Sequence, residues 1–105
     1  MFRVEFTPQA TDDIRSLRKY DHRRVLNEIG IHLAHEPGRE TRRRKRLRPN
    51  LLAEWELRIE EFRVFYDVTP AGPDDTDEDE GTVRVVAIGW KEGSTLFVHG
   101  QEFEL

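Results

Sequence analysis

Cysteine is missing from all 105 residues of the chain. Its absence excludes disulfides and thiolate metal sites, and fits a reducing compartment such as the cytoplasm. No apolar run approaches the ~18 residues of a membrane span. The N-terminus, Met1-Phe2-Arg3-Val4-Glu5-Phe6, alternates where a signal peptide would carry an apolar block, so neither leader nor membrane partner is expected. Phosphate-cradling glycine loops are also missing, since Gly89-Trp90-Lys91-Glu92-Gly93 fits none of their patterns. His22, His32, His35 and His99 lack metal-ligand spacing, so the reading includes no metal and no cofactor. Ser94 has no evident base beside it. Apolar and charged residues each make up 36% of the chain, which leaves one lean core in a single domain over 1–105.

The charge that is present is segregated. Seven of the ten residues from Arg39 to Arg48 are basic, while six of the seven from Asp74 to Glu80 are acidic. Discounting those six acids turns the net charge from -4 to +2. A basic loop over 39–50 on a compact body points to a polyanion, with Arg42, Arg43, Arg44, Lys45, Arg46 and Arg48 as candidate nucleic-acid contacts. The acidic loop over 70–81 follows Pro70-Ala71-Gly72-Pro73 and reads as a solvated link between strands.

Hydrophobic spacing supplies the elements. Phe2, Val4 and Phe6 alternate as a half-buried strand. Thr7-Pro8 starts a helix, with Asp12 and Asp13 taken as early acids favoured by its dipole. Asp21 reads as the cap of a second helix carrying Val25, Leu26, Ile29 and Leu33, and the helices turn near Lys19–Asp21. Trp55–Ile59 and Phe62–Val68 form a β-hairpin turning at Glu60-Glu61. Thr82–Gly89 is a buried strand, and the tail is a small hairpin turning at His99-Gly100. The order β-α-α-β-β-β predicts an α+β fold, a mostly antiparallel sheet with a helical hairpin packed on one face.

The hairpin register has a chemical consequence. If the turn is Glu60-Glu61, Arg58 faces Arg63 on the side of the sheet away from the helices. Directly opposed like charges destabilise a sheet unless an anion lies between them. The plain alternative is that Glu60, Glu61 or Asp67 neutralises the pair at the surface.

These residues carry a family likeness. The opening "FRVEFTPQATDDIRSL", the central "KRLRPNLLAEWELRIEEFRVFYDV" and the later "VRVVAIGWKEGSTLF" resemble the RelE/ParE superfamily of type II toxin–antitoxin toxins. The resemblance implies a RelE-like fold, a cytoplasmic location and an antitoxin from a neighbouring gene. Assembly would be a toxin–antitoxin hetero-oligomer or a homodimer. For RelE-like members it implies metal-independent cleavage of mRNA on the ribosome, which stops translation. It places Arg63 at the scissile phosphate, with Arg58 nearby and Lys91 at the position of a second catalytic arginine. RelE-like members carry lysines at the positions of Glu54 and Glu56, and a tyrosine at that of Phe97. The base is then His99, Glu54 or Glu56, and the acid Lys91 or Lys45. The ParE branch inhibits gyrase and needs no nucleolytic residues, and a degenerate homologue would keep only antitoxin binding.

Overall fold

A computed structural model describes residues 1–74 and 80–105. The core of the predicted acidic loop, 75–79, lies outside the described residues. The elements are β1 (Arg3–Phe6), α1 (Pro8–Arg15), α2 (Lys19–Leu33), β2 (Arg44–Arg46), β3 (Trp55–Ile59), β4 (Phe62–Pro70), β5 (Gly81–Glu92), β6 (Thr95–Val98) and β7 (Gln101–Glu102). Among the described residues they form one sheet in the order β2-β3-β4-β5-β6-β7, with β1 added beside β5. Every pairing is antiparallel except β1 with β5. The predicted α+β architecture is the one observed. No described helix is long and apolar enough to cross a membrane.

Thr7 caps α1 as expected, its hydroxyl accepting from the Ala10 N–H at 3.1 Å, with Pro8 at the first helical position. The first turn of α1 holds no acid; Asp13 lies near the other end and reaches β5 instead. Asp21 is not a cap either. The chain turns over Ser16–Arg18, α2 begins at Lys19, and Arg18 caps it without a side-chain bond. Val25, Ile29 and Leu33 of α2 and Ala10 and Ile14 of α1 bury against Trp55, Leu57, Ile59, Phe62, Val64 and Tyr66 of the hairpin. Each fully buried aliphatic side chain there stabilises the fold by about 1.5–3 kcal/mol. The Tyr66 hydroxyl donates to the Pro37 carbonyl at 2.8 Å, tying the sheet to the segment after α2.

Two features depart from the reading. Residues 44–46 of the basic loop are a strand, with Lys45 opposite Glu56 and Arg46 opposite Trp55. The far side of the sheet also carries a second cluster of Ala53, Phe65, Ala87, Leu96 and Val98, bordered by Leu47, Leu52, Val86 and Phe103. A bulge makes it possible: Phe65 pairs with Ala87 and Tyr66 with Val85, so Val86 has no partner across the ladder. Val86 and Ala87 therefore both join this second cluster. On the other edge of β5, β1 pairs with Thr82–Val85 and β6 with Gly89–Glu92. In the gap between them the Ile88 N–H donates to the Asp13 carboxylate at 3.0 Å.

Candidate nucleic-acid interface

Alternation along β3 and β4 sets which side chains leave the core. Leu57 and Ile59 bury against the helices, so Glu56 and Arg58 point the other way. The β3–β4 ladder then pairs Ile59 with Phe62 and Arg58 with Arg63, the register that the sequence predicts. Glu60 adopts a left-handed φ of 51° to close the turn.

The acids that could neutralise this arginine pair are engaged elsewhere. Glu60 and Glu61 bind Arg24 of α2 at 3.0 and 3.2 Å, and Arg24 also lies over the Phe62 ring. Asp67 accepts the Glu54 N–H at 2.8 Å. That leaves Glu56, only 9% exposed and without a hydrogen-bond or ion-pair partner among the described residues. Arg63 is 8% exposed, and its Nη1 donates to the carbonyls of Glu60 and Phe62. Desolvation pulls its guanidinium below the ordinary arginine value; Glu56 opposes the shift and Arg58 adds to it. A cation held where burial disfavours its charge is a feature of binding sites more than of stable folds. Gly89 stands opposite Arg63 on β5, and a Cβ there would lie 2.3 Å from the Phe97 carbonyl, so only glycine lets β6 approach.

These side chains line a groove of about 550 Å³ with Lys45, Arg48, Lys91 and Ser94, and with Phe103 and Glu104 of the tail. Arg58 also borders a second basin shared with Arg42, Arg43 and Glu60. Arg46 sits at the groove rim, 3.7 Å from Glu54 and stacked over Trp55.

Several predicted site residues stand elsewhere. Arg44 is not available to a ligand. Its guanidinium donates to the carbonyls of His32 (2.7 Å), His35 (3.1 Å) and Arg39 (3.0 Å), closing the C-terminal end of α2. Those carbonyls have no helical partner, and a cation there also meets the negative end of the helix dipole. His99 does not line the groove. It occupies the β6–β7 turn with φ 54°, and its Nδ1 is 2.8 Å from Asp13. Glu54 lies in an adjacent depression with Asp67, so of the two glutamates only Glu56 enters the groove. Phe97 is on the helix side of the sheet, opposite Trp90 in the register and stacked on it at 5.5 Å. Its neighbours Leu96 and Val98 belong to the second cluster. Phe97 is therefore on the wrong face to reach the groove. His32 bonds Glu28 at 2.8 Å, and the described residues hold no metal-binding cluster. Sequence reasoning missed Phe103 and Glu104, whose only signal is the apolar–acidic alternation of the tail.

A family model described as the ParE toxin of the parDE type II toxin–antitoxin system matches residues 4–92. The chain belongs to that family. The matched span of this ParE-family toxin includes every groove cation and stops before β6, β7 and Phe103. Among solved structures it is similar to the toxin–antitoxin complex RelBE2 from Mycobacterium tuberculosis, with 21% identity and a TM-score of 0.59. That similarity covers 86% of this chain and 98% of the other, and establishes a shared RelE-like fold. No curated protein matches the toxin.

Proposed function

We propose that this toxin is a metal-independent endoribonuclease that cuts mRNA on the ribosome, works in the cytoplasm, and is held inactive by a cognate antitoxin. One observation carries the reading: Glu56, a mostly buried residue with no hydrogen bond among the described residues, stands among Lys45, Arg58, Arg63 and Lys91 in one groove. Folding alone gains nothing from opposing Arg58 to Arg63. A phosphate between them removes the repulsion, and a carboxylate beside that phosphate supplies a base.

In this reaction the 2'-hydroxyl of RNA attacks the adjacent phosphorus and gives its proton to Glu56. Arg58 and Arg63 stabilise the extra negative charge on the phosphoryl oxygens. The P–O5' bond breaks, and the departing oxygen takes a proton from Lys91. The products are a 2',3'-cyclic phosphate and a 5'-hydroxyl. Lys45, opposite Glu56 across the β2–β3 ladder, adds a further cation at the groove wall.

The test is induction from a tight promoter with mapping of mRNA 5' ends. New ends inside coding regions are expected for the wild type and not for Glu56→Gln or Arg58→Ala. Full cleavage by both variants would overturn the assignment. A second reading is inhibition of gyrase, favoured by the ParE description of the matching family model. Growth arrest without new 5' ends supports it.

A further inference from the structure

Arg43, Arg58 and Arg63 stand in one line across three neighbouring segments. The Arg58 N–H donates to the Arg43 carbonyl at 2.7 Å, which extends the β2–β3 ladder by one position. Arg58 in turn faces Arg63. Each arginine is therefore one strand spacing, about 4.8 Å, from the next. Arg44 and Leu57 turn to the helix side, so Arg43 and Arg58 share the opposite one. Gly89 continues the line past Arg63 without a side chain, and Lys91, two residues on, supplies the next cation on that face. The row crosses the strands instead of following one. Among the described residues, Arg43, Arg58 and Lys91 have no carboxylate within 4.0 Å. Glu60, in the turn beside the row, borders the second basin and is bound to Arg24.

We propose that single-stranded RNA crosses the sheet along this row, so that the basin at Arg42 and Arg43 holds the phosphate next to the one being cut. Arg43 lines the second basin and Arg63 the groove, so the two arginines serve separate phosphate positions. The site therefore takes at least two phosphates, and Arg58, bordering both cavities, touches both. This rests on the endoribonuclease reading above, and fixes the path of its substrate.

The experiment measures affinity of Glu56→Gln protein for labelled dinucleotide and tetranucleotide RNA over a range of salt, with and without Arg43→Ala. Arg43 is exposed, so its replacement should leave thermal unfolding unchanged. Expected for Arg43→Ala are a several-fold loss for the tetranucleotide, a salt slope shallower by about 0.7, and no change for the dinucleotide, which carries one phosphate. Arg23→Ala on the exposed side of α2 is the control and should change neither. Equal tetranucleotide affinity and slope with and without Arg43 would overturn the path, while new mRNA 5' ends made by the wild type would still uphold the cleavage reading. Loss of the second phosphate contact in a protein that makes no new ends would uphold the path and overturn cleavage. Failure to bind RNA of either length would also overturn the path, and absence of new mRNA 5' ends from the wild type would overturn cleavage as well.

Discussion

The β3–β4 hairpin presents two faces made from alternate residues of the same two strands, and they obey opposite rules. One carries Trp55, Leu57, Ile59, Phe62, Val64 and Tyr66, closed against α1 and α2. The other places Glu56, Arg58 and Arg63 side by side, two of them nearly as buried as the core. The first face is what burial of apolar area produces. The second is what folding would avoid: a desolvated cation and a repelling pair. Stability and function are thus written on odd and even positions of one sequence, and single substitutions can separate them.

The largest effect should come from the charged face. Glu56→Gln is expected to lower RNA cleavage by roughly 10²- to 10⁴-fold, measured as single-turnover rates, with the unfolding midpoint nearly unchanged. An equal loss of stability would erase the distinction between the faces. Next comes the apolar face. Leu57→Ala, at a fully buried position, should cost about 2–5 kcal/mol by urea unfolding while the folded fraction keeps its cleavage rate. Arg44→Ala should cost about 1–3 kcal/mol, because it strands three carbonyls at the end of α2, whereas Arg43→Ala next to it should stay within about 0.5 kcal/mol. Tyr66 gives a smaller, pH-dependent effect. Burial pushes its hydroxyl well above the ordinary tyrosine value, with the Arg44 charge acting weakly in the opposite direction. A raised folded-state value means stability is intact below about pH 10, where the free side chain ionises, and is lost as pH climbs above it. Tyr66→Phe should flatten that alkaline decline in a denaturation series. Phe97→Tyr should do least. A hydroxyl beside Trp90 on the helix side cannot reach the groove, so cleavage rates should match the wild type. Gain of activity would mean that the face assignment of β6 is wrong.

What the sequence revealed followed from period-two and helical spacing. Thr7-Pro8 marked the start of α1, and the alternation through Trp55–Ile59 and Phe62–Tyr66 fixed the register that opposes Arg58 to Arg63. The strand β2 was not legible, because Arg44-Lys45-Arg46 carries no apolar residue and forms by pairing alone. Nor was the inward turn of Arg44, since its partners are backbone carbonyls and composition cannot mark them. The second cluster escaped because Ala53, Leu96 and Val98 are far apart in the chain and a bulge at Val86 shifts the parity of β5. Of the candidate site, Arg58, Arg63, Lys91 and Glu56 do meet in one groove, while His99 and Arg44 were drawn in by residue type and are held by Asp13 and by α2.

The single parallel pairing among the described residues sets a clock. Residues of β1 find their partners in β5 79 positions later. At about 5–20 residues per second, that is an interval of roughly 4–16 s in which the first strand made has nothing to join. The same late strand brings Gly89 and Lys91 to the groove. The groove is therefore incomplete until β5 has been made, so the parallel pairing and the groove wall form from the same late strand.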